Sequence, residues 1–495
     1  MIAARTHQLA ALWSGHGLSW AAGAGLLGLL GALLPIEISL VIFGAAGYLL
    51  LAGVTPIAPL TVMLIVAPLR TLFATEAPFQ LPLDIGQLAL AGTVFFVLLY
   101  VSTRRLPFPP ILRSPVFISV LIFVFAAALS GFSAISLSSW LNEWVKWLQI
   151  LVLIAVCLAI AGRAWEWLLV GLIAAGAANA VIGIYQFFGG SGALHLLINE
   201  RFFRAFGTFG QPNPFGAFMG LLTPIALGAA LGYGIRFLRS HRESGTPHWL
   251  YLIPISFYAG AAGLMTAALI MSWSRGAWLG FAAAIGIVIF ALPRRPARSL
   301  LLLVSLAILT VTAWTSGWLP ASITERVSST VGDLVSASDV RGVDITAENY
   351  ALVERVAHWQ AAVNMATAHP WLGVGFGNYE TAYANYRLMN WDLALGHAHN
   401  YYLNVFAETG IIGLMAYLLM WLLIAALTWQ TRRHPDPLAR SVAVGLLGTW
   451  VYLSVHSITD NLYVNNLFLH IGVALGILAV LYQQCSNHGH IMRDA

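Results

Sequence analysis

The sequence predicts an all-α fold: a polytopic transmembrane helical bundle of about 12–14 helices with one large folded extracytoplasmic loop. Of its 495 residues, 59% are hydrophobic and only 9% are charged, and its mean hydropathy is +0.81. Soluble globular domains do not have that balance. Apolar runs of about 17–25 residues recur along the chain, and each can cross a bilayer core as a helix. Strand-length alternation of polar and apolar residues is absent, so helices must satisfy the backbone polar groups in lipid.

Apolar runs bounded by polar or turn residues give about fourteen candidate helices. They lie at 18–34, 36–53, 55–69, 85–102, 115–131, 143–161, 166–188, 214–234, 249–271, 276–292, 299–319, 401–428, 440–458 and 461–482. The first run follows a segment without a small-residue cleavage site, so we expect a retained helix rather than a signal peptide. The predicted division is N-terminal transmembrane helices over 1–319, a large periplasmic or outer loop over 320–400, and C-terminal transmembrane helices with a short cytoplasmic tail over 401–495.

The distribution of arginines predicts the orientation of these helices. If the N-terminus is inside, most arginines fall in short inside loops, for example Arg104, Arg105, Arg294 and Arg295. Short loops are where the inside bias of positive charge applies. We therefore expect both termini in the cytoplasm and the long loop outside.

The loop 320–400 is too long and too varied in composition to be a simple connection. Apolar residues recur at helical spacing at Leu352, Val356, Trp359, Val363 and Ala366, which predicts an amphipathic helix within 347–368. A proline and a glycine-punctuated turn follow, and the absence of a preceding strand makes them a turn rather than a nucleotide-binding motif. We expect this loop to be a folded lid on the membrane surface.

Two histidines stand where the loop meets the next apolar run, in the segment Gly396-His-Ala-His-Asn-Tyr-Tyr-Leu-Asn404. An imidazole is the side chain best suited to take a proton near neutral pH, so His399 is the candidate general base, with His397 the weaker candidate. The alternative is that His399, beside Asn400, only caps the helix or packs at an interface.

Arginines on the predicted outer side oppose the general charge bias and therefore suggest an anionic ligand such as a pyrophosphate. Arg201 and Arg204 precede the helix-breaking segment Gln211-Pro-Asn-Pro214, and Arg275 lies in a short polar break between two apolar helices. The planar guanidinium binds phosphate oxygens through two parallel hydrogen bonds, and a helix N-terminus at Pro212 would favour an anion. Interfacial snorkelling and a plain proline-initiated helix are the structural alternatives.

Two further polar pairs are spaced to share a helix face. His456 and Asp460 are four residues apart at the outer end of an apolar run, and a local hydrogen-bonded pair is the favoured interpretation. Glu143 and Lys146 are three residues apart, which predicts a compensated intramembrane pair.

Taken in order, several segments make the chain resemble the superfamily of O-antigen ligases and O-antigen polymerases, which are bacterial membrane glycosyltransferases. The matching segments are 204–216, 272–278, 355–359, 369–378, 399–403, 407–413 and 456–460. Each motif alone is modest, but their order and the long loop before the histidines are specific. The first 190 residues match only as a pattern of helices.

The resemblance implies transfer of a glycan from an undecaprenyl-pyrophosphate carrier to a hydroxyl on the outer face of the bacterial plasma membrane, without metal, nucleotide sugar or other cofactor. The acceptor would be lipid A-core in a ligase, a growing glycan in a polymerase, or a protein side chain in a related transferase. By resemblance, His399 would be the base and Arg204 and Arg275 would hold the pyrophosphate, with Arg201 near them. Asn400, His397, Arg355, His456 and Asp460 would support them, and Asp460 matches an acidic position of the family. The expected partners are the lipid-linked donor, the acceptor and membrane lipids, with no nucleic acid.

Three other functions remain open from the sequence. An O-antigen or exopolysaccharide polymerase of the same superfamily would share these residues. A lipid-linked glycan transporter would need ionisable groups at mid-membrane, whereas most candidates here fall at the outer interface. A peptidoglycan polymerase also has many spans and a large loop, but the histidine–asparagine motif argues against it.

Overall fold

A computed structural model describes residues 35–76, 84–104, 109–190, 192–198, 200–244, 249–293, 296–318, 340–346 and 349–494, with the single residues Gly25, Gly28 and Thr324. The helices are α1 (Ile36–Val54), α2 (Ile57–Val66), α3 (Arg70–Glu76), α4 (Ile85–Arg104), α5 (Pro115–Leu129), α6 (Leu137–Ile160), α7 (Trp165–Tyr185), α8 (Pro212–Ser244), α9 (Leu252–Met271), α10 (Arg275–Ala291), α11 (Pro296–Thr315), α12 (Tyr350–Ala368), α13 (Tyr379–Tyr386), α14 (Tyr401–Thr431), α15 (Pro437–His456) and α16 (Leu467–Asp494). Two short antiparallel strands, β1 (Leu197–Ile198) and β2 (Phe202–Phe203), form one hairpin.

The all-α polytopic fold is confirmed. Within the described residues, eleven helices are long and apolar enough to cross a membrane, and the apolar helices Phe43–Val54 and Arg275–Ala291 are shorter. The predicted helix at 18–34 falls almost wholly outside the described residues. Each of the other predicted helices has a counterpart in the structure.

Three helices illustrate how the observed boundaries differ from the prediction. The helix expected at 143–161 begins at Leu137, because the hydroxyl of Ser136 accepts from the amide of Ser139 and caps it. The helix expected at 214–234 begins at Pro212, as the prolines indicated, and continues to Ser244 beyond its apolar run. The last helix begins at Leu467 rather than 461, because Asn465 and Asn466 have positive φ and form a turn.

Helices α8 and α15 form the closest contact of the bundle, through glycines. A Cβ on Gly228 would lie 2.4 Å from the carbonyl oxygen of Ser441, and one on Gly445 would lie 2.4 Å from that of Pro224. Small residues allow such approach where helices pack in lipid. The hydroxyl of Thr449 also donates to the carbonyl of Leu221 at 2.8 Å. The beginning of α8 is thereby fixed against the end of α15, where the candidate site lies.

The amphipathic helix predicted in the loop is α12, and Val356 and Ala366 of the predicted stripe are buried. Val363 is exposed, whereas Ala361, Ala362 and Met365 are fully buried in a cluster that includes Ala407 of α14. Small alanines let α12 pack closely on α14, and the larger valine faces outward. The helix was therefore predicted correctly, and of the predicted stripe only Val363 is exposed.

The glycine-rich turn after α12 docks into a break in α14. Gly410 interrupts the helix with φ +63° and ψ −166°. The carbonyls of Ala407 and Glu408 are freed there, and they accept from the amides of Val374 and Gly375 at 3.0 Å each. A Cβ on Gly373 would lie 2.3 Å from the carbonyl carbon of Glu408. Two sequence motifs, 369–378 and 407–413, thus form one interlocked joint that holds the lid on the bundle.

Candidate active site

The candidate site lies at one end of the bundle, where α8, α10 and α14 begin and α15 ends. The turn after α15 brings Asp460 to the two histidines that precede α14. Its Oδ1 lies 3.7 Å from Nε2 of His397 and 3.8 Å from Nδ1 of His399. The Asp460 side chain is 10% exposed, and those of the histidines are about one-fifth exposed. The cluster is thus semi-enclosed but open to a substrate.

Local hydrogen bonds hold the histidine segment in a compact turn. His399 has φ +52°, its amide donates to Nδ1 of His397 at 3.0 Å, and the amide of Ala398 donates to Asn404 Oδ1 at 3.0 Å. Asn400 accepts from the amide of Leu403 and caps α14. The capping role considered for His399 therefore belongs to Asn400. A left-handed non-glycine residue is costly, and such strain is typical of functional sites.

A second set of contacts fixes this turn between α12 and α15. The indole nitrogen of Trp359 lies 3.5 Å from the carbonyl oxygen of His399. The amide of Tyr401 donates to the carbonyl of Ser457 at 2.8 Å. The hydroxyl of Tyr402 donates to the carbonyl of Ser454 at 2.8 Å. The histidines and Asp460 are therefore positioned by backbone contacts from three elements.

The electrostatics of the cluster favour an ionised Asp460 beside a neutral His397. Burial alone would raise the pKa of the Asp460 carboxyl, but its interactions with His399 and with the charges of His397 and His456 hold that pKa below its ordinary value. Burial lowers the pKa of His397 to about 4 against the opposing effect of Asp460, and positive charge on His399, Arg355 and Lys146 also lowers it. Arg355 thus acts on this site electrostatically. Lys146 pairs with Glu143, as predicted.

A third histidine, His358 of α12, was missed from the sequence. It is 1% exposed, and its ring centroid lies 5.8 Å from that of His399. The hydroxyl of Tyr379 donates to the carbonyl of His358 at 3.1 Å and lies 3.0 Å from its Nδ1. Because a tyrosine hydroxyl has one proton, Nδ1 is the donor in the second bond.

This arrangement leaves Nε2 of His358 as a buried acceptor, which has no hydrogen-bond partner within the described residues. Burial, and secondly the charge on His399 and His397, lower the pKa of His358 to about 4. His358 is therefore neutral at ordinary pH. A polar residue at a buried position of an amphipathic helix was the available sequence signal.

Arg204 and Arg275 lie at the same end of the bundle as the histidines. Nε of Arg204 donates to the carbonyl of Ser272 at 3.1 Å, and Nη2 donates to Asn213 Oδ1 at 3.3 Å. Arg275 is the first residue of α10, three residues after Ser272. These contacts bring the segment before α8 and the polar break between α9 and α10 together.

The beginning of α10 also contacts the turn that carries Asp460. A Cβ on Gly276 would lie 2.2 Å from Oγ1 of Thr459 and 2.9 Å from Nε2 of His456. Arg275 and Asp460 are the chain neighbours of two residues, Gly276 and Thr459, that touch. The polar break between α9 and α10 thus adjoins the Asp460 turn.

Two predicted site residues, Arg201 and His456, contact groups other than the predicted ones. Arg201 is exposed in the β1–β2 turn, where its guanidinium lies 5.1 Å from the ring centroid of Phe202. His456 is 1% exposed, and its Nδ1 lies 3.0 Å from the hydroxyl of Tyr452. The favoured local pair of His456 with Asp460 is wrong: α15 ends at His456, and Asp460 turns away from the helix axis towards His397 and His399.

The cluster has two chemical capacities. A histidine beside a carboxylate can accept and hold a proton. The ligand atoms of His397, His399 and Asp460 also lie within 4.8 Å of one another, so the same three residues could hold a metal ion. The cluster therefore offers both a proton-accepting imidazole and a set of three possible metal ligands.

Comparison with known proteins supports the interpretation of the motifs. Residues 260–418 match the O-Antigen ligase family, and no curated protein matches the chain. The matched segment contains Arg275, α12, the docked turn and both histidines of the cluster, whereas Arg204 and Asp460 lie outside it. The resemblance is thus confirmed, and the chain is a multi-pass membrane protein whose residues 260–418 match the O-Antigen ligase family.

Proposed function

We propose that the protein transfers a glycan from an undecaprenyl-pyrophosphate carrier to an acceptor hydroxyl, as O-antigen ligases do. The observation that carries this proposal is the placement of His399 beside Asp460 at the bundle end that also holds Arg204 and Arg275. Transfer from a lipid pyrophosphate needs a base for the acceptor and positive charge for the leaving group. Both kinds of group meet at this end.

The arginines stabilise the leaving group. Breaking the bond between the anomeric carbon and the phosphate oxygen leaves the bonding electron pair on the pyrophosphate. Arg204 and Arg275 stabilise that charge without a proton transfer to the leaving oxygen, because guanidinium forks bind phosphate oxygens bidentately. No metal ion is required in this scheme. The contacts of Arg204 with Ser272 and Asn213 fix its orientation in advance.

His399 activates the acceptor hydroxyl. Its Nδ1 faces Asp460 at 3.8 Å, a separation that a small closure shortens to a hydrogen bond. Nε2 is then the basic nitrogen. It takes the proton of the acceptor hydroxyl as the oxygen attacks the anomeric carbon opposite the departing pyrophosphate, and Asp460 stabilises the resulting imidazolium. A single displacement of this kind inverts the anomeric centre.

The lid formed by α12 and its docked turn excludes water, which otherwise competes with the acceptor.

We place this site on the periplasmic or outer face of the plasma membrane, with both chain termini in the cytoplasm. Support comes from the charge distribution, since the opposite bundle end holds Arg239, Arg432, Arg433 and Arg440 and inside loops are rich in arginine.

The test is an in vitro assay of the purified full chain with a lipid-pyrophosphate glycan. Separate reactions receive lipid A-core or a second lipid-linked glycan as the acceptor, and anomeric configuration is read by NMR. Product on lipid A-core supports a ligase, whereas lengthened lipid-linked glycan identifies a polymerase. Movement of the donor across proteoliposomes without any new glycosidic bond would overturn the transferase proposal in favour of a transporter.

A further inference from the structure

A second polar cavity lies at the end of the bundle opposite the candidate site. Its volume is about 650 Å³, and four arginines line it together with apolar side chains. The lining residues are Leu231, Ile235 and Arg239 of α8, Ala291 of α10 with Leu292, Arg432 and Arg433 after α14, and Arg440, Ser441 and Val444 of α15.

Helices α8, α10 and α14 begin at the candidate site and end at this cavity, while α15 runs the other way. The lining residues of α8 begin at Leu231, 19 residues after Pro212, so the two sites lie about 30 Å apart, which is the thickness of a bilayer core.

The cavity concentrates positive charge without a carboxylate among its lining residues. Two acidic groups, Glu166 of α7 and Asp436 before α15, bind another arginine, since Arg236 lies 2.9 Å from Asp436 and 3.1 Å from Glu166. Four guanidinium groups around one space repel each other unless an anion lies between them. The lining therefore has the composition of an anion site.

Arg432 shows that this charge is held in place. Its guanidinium lies 3.6 Å from the ring centroid of Trp429, and Nη1 donates to the carbonyl of Ala291 at 3.4 Å. Its Nε is buried and has no hydrogen-bond partner within the described residues. Burial, and secondly the charge of Arg433, lower the pKa of Arg432. A buried donor without an acceptor is costly, and an oxyanion in the cavity would supply one.

We propose that this cavity binds a phosphate-bearing anion, and that the ligand is the headgroup of an anionic phospholipid. The shared chemistry is a phosphate oxyanion held by arginine forks. The lipid source is favoured because Leu231, Ile235, Leu292 and Val444 stand beside the arginines and the cavity lies at the ends of spanning helices, where headgroups lie. The site lies apart from the transfer chemistry and does not rest on the proposed function.

The experiment measures thermal unfolding of the purified full chain in detergent micelles. Phosphatidylcholine, phosphatidylglycerol or diphosphatidylglycerol is titrated in, and sodium phosphate and pyrophosphate are titrated separately at matched ionic strength. The cavity variant combines Arg239→Gln with Arg433→Gln, whose native side chains are exposed. The matched control combines Arg113→Gln with Arg242→Gln, which remove the same charge from exposed positions outside the cavity.

We expect anionic lipid, but not phosphatidylcholine, to raise the unfolding temperature of the wild type and the control. The cavity variant should need at least about tenfold more lipid for the same shift, a loss of about 1.4 kcal/mol. Equal lipid curves for the cavity variant and the control, or equal stabilisation by phosphatidylcholine, would overturn the site. Stabilisation by phosphate or pyrophosphate alone, lost in the cavity variant, would overturn the lipid source. If the double variant does not fold, Arg433→Gln alone and native mass spectrometry of retained lipid give the same comparison.

Discussion

Oδ1 of Asp460 lies 3.8 Å from Nδ1 of His399, although α14 and α15 separate the two residues along the chain. The turn after α15 and the segment before α14 meet because Tyr401 and Tyr402 bind the carbonyls of Ser457 and Ser454. The pair is longer than a hydrogen bond, and catalytic contacts of this kind commonly tighten when substrate binds. This relationship is the basis for assigning the base and its partner.

His399→Ala should reduce glycan transfer by about 10²–10⁴-fold, the usual contribution of a positioned general base. His397→Ala should be milder, because His397 contacts Asp460 through the opposite ring nitrogen and is held neutral by burial. Initial rates with saturating lipid-linked donor measure both variants, and unfolding temperatures check that each is folded. Retention of more than about a tenth of the wild-type rate by folded His399→Ala would contradict the general-base role.

Asp460→Asn should lower the plateau rate and move the acid limb of the pH–rate profile to lower pH. The wild-type carboxylate stabilises a protonated imidazole beside it, and it raises the pKa of His397 in particular. Removing that negative charge removes the stabilisation of an imidazolium in the cluster, so the acid limb moves to lower pH and proton transfer to the base becomes less favourable. The profile is measured from about pH 4 to 9. An acid limb that stays in place or moves upward would show that Asp460 does not act on the base.

The spans and the docked turn could be predicted from local sequence, whereas the site geometry could not. Apolar runs of sufficient length identify helices without reference to their neighbours, and the glycines at 373–377 signal a turn. In contrast, the choice of His397 and His399 as partners of Asp460 depends on the end of α15 at His456, a boundary that residue spacing does not reveal. The favoured pairing of His456 with Asp460 failed for this reason.

Packing also decided which face of the lid helix is buried. The predicted stripe includes Val356 and Ala366, which are buried, and Val363, which is exposed because alanines make the close contact with α14. His358 was missed because a single polar residue on a buried face has no pattern of its own. Its position beside His399 follows only from the docking of α12 on α14.

Arg204→Lys and Arg275→Lys should each reduce transfer, even though charge is conserved. The Arg204 guanidinium makes two directed contacts, to Ser272 and Asn213, that an ammonium group cannot reproduce together. Arg201→Lys is the informative comparison, because Arg201 is exposed in the hairpin. Rates at low and saturating donor concentration separate binding from the chemical step. An Arg204→Lys enzyme as active as the wild type would remove Arg204 from the donor site.

Gly410→Ala should destabilise the protein and reduce activity. Gly410 has φ +63°, and a Cβ there would lie 2.3 Å from the carbonyl carbon and oxygen of Trp371, so the docked turn must separate from α14. Gly260→Ala is the matched control, because no atom lies within 4 Å of its added Cβ and alanine favours a helix. Unfolding temperature and limited proteolysis of the loop measure the effect. Equal behaviour of the two variants would show that the joint does not hold the lid.

Transfer should persist in EDTA and without ATP when the lipid-linked donor is supplied. The arginines carry the charge of the departing pyrophosphate in the proposed mechanism, so no metal ion is needed for that step. The stringent form of the assay removes metal by extended chelation, then adds back Mg²⁺, Mn²⁺ or Zn²⁺ separately. Full activity after chelation supports His399 as a base. Loss of activity that one metal restores, and that His397→Ala makes permanent, would instead identify His397, His399 and Asp460 as metal ligands.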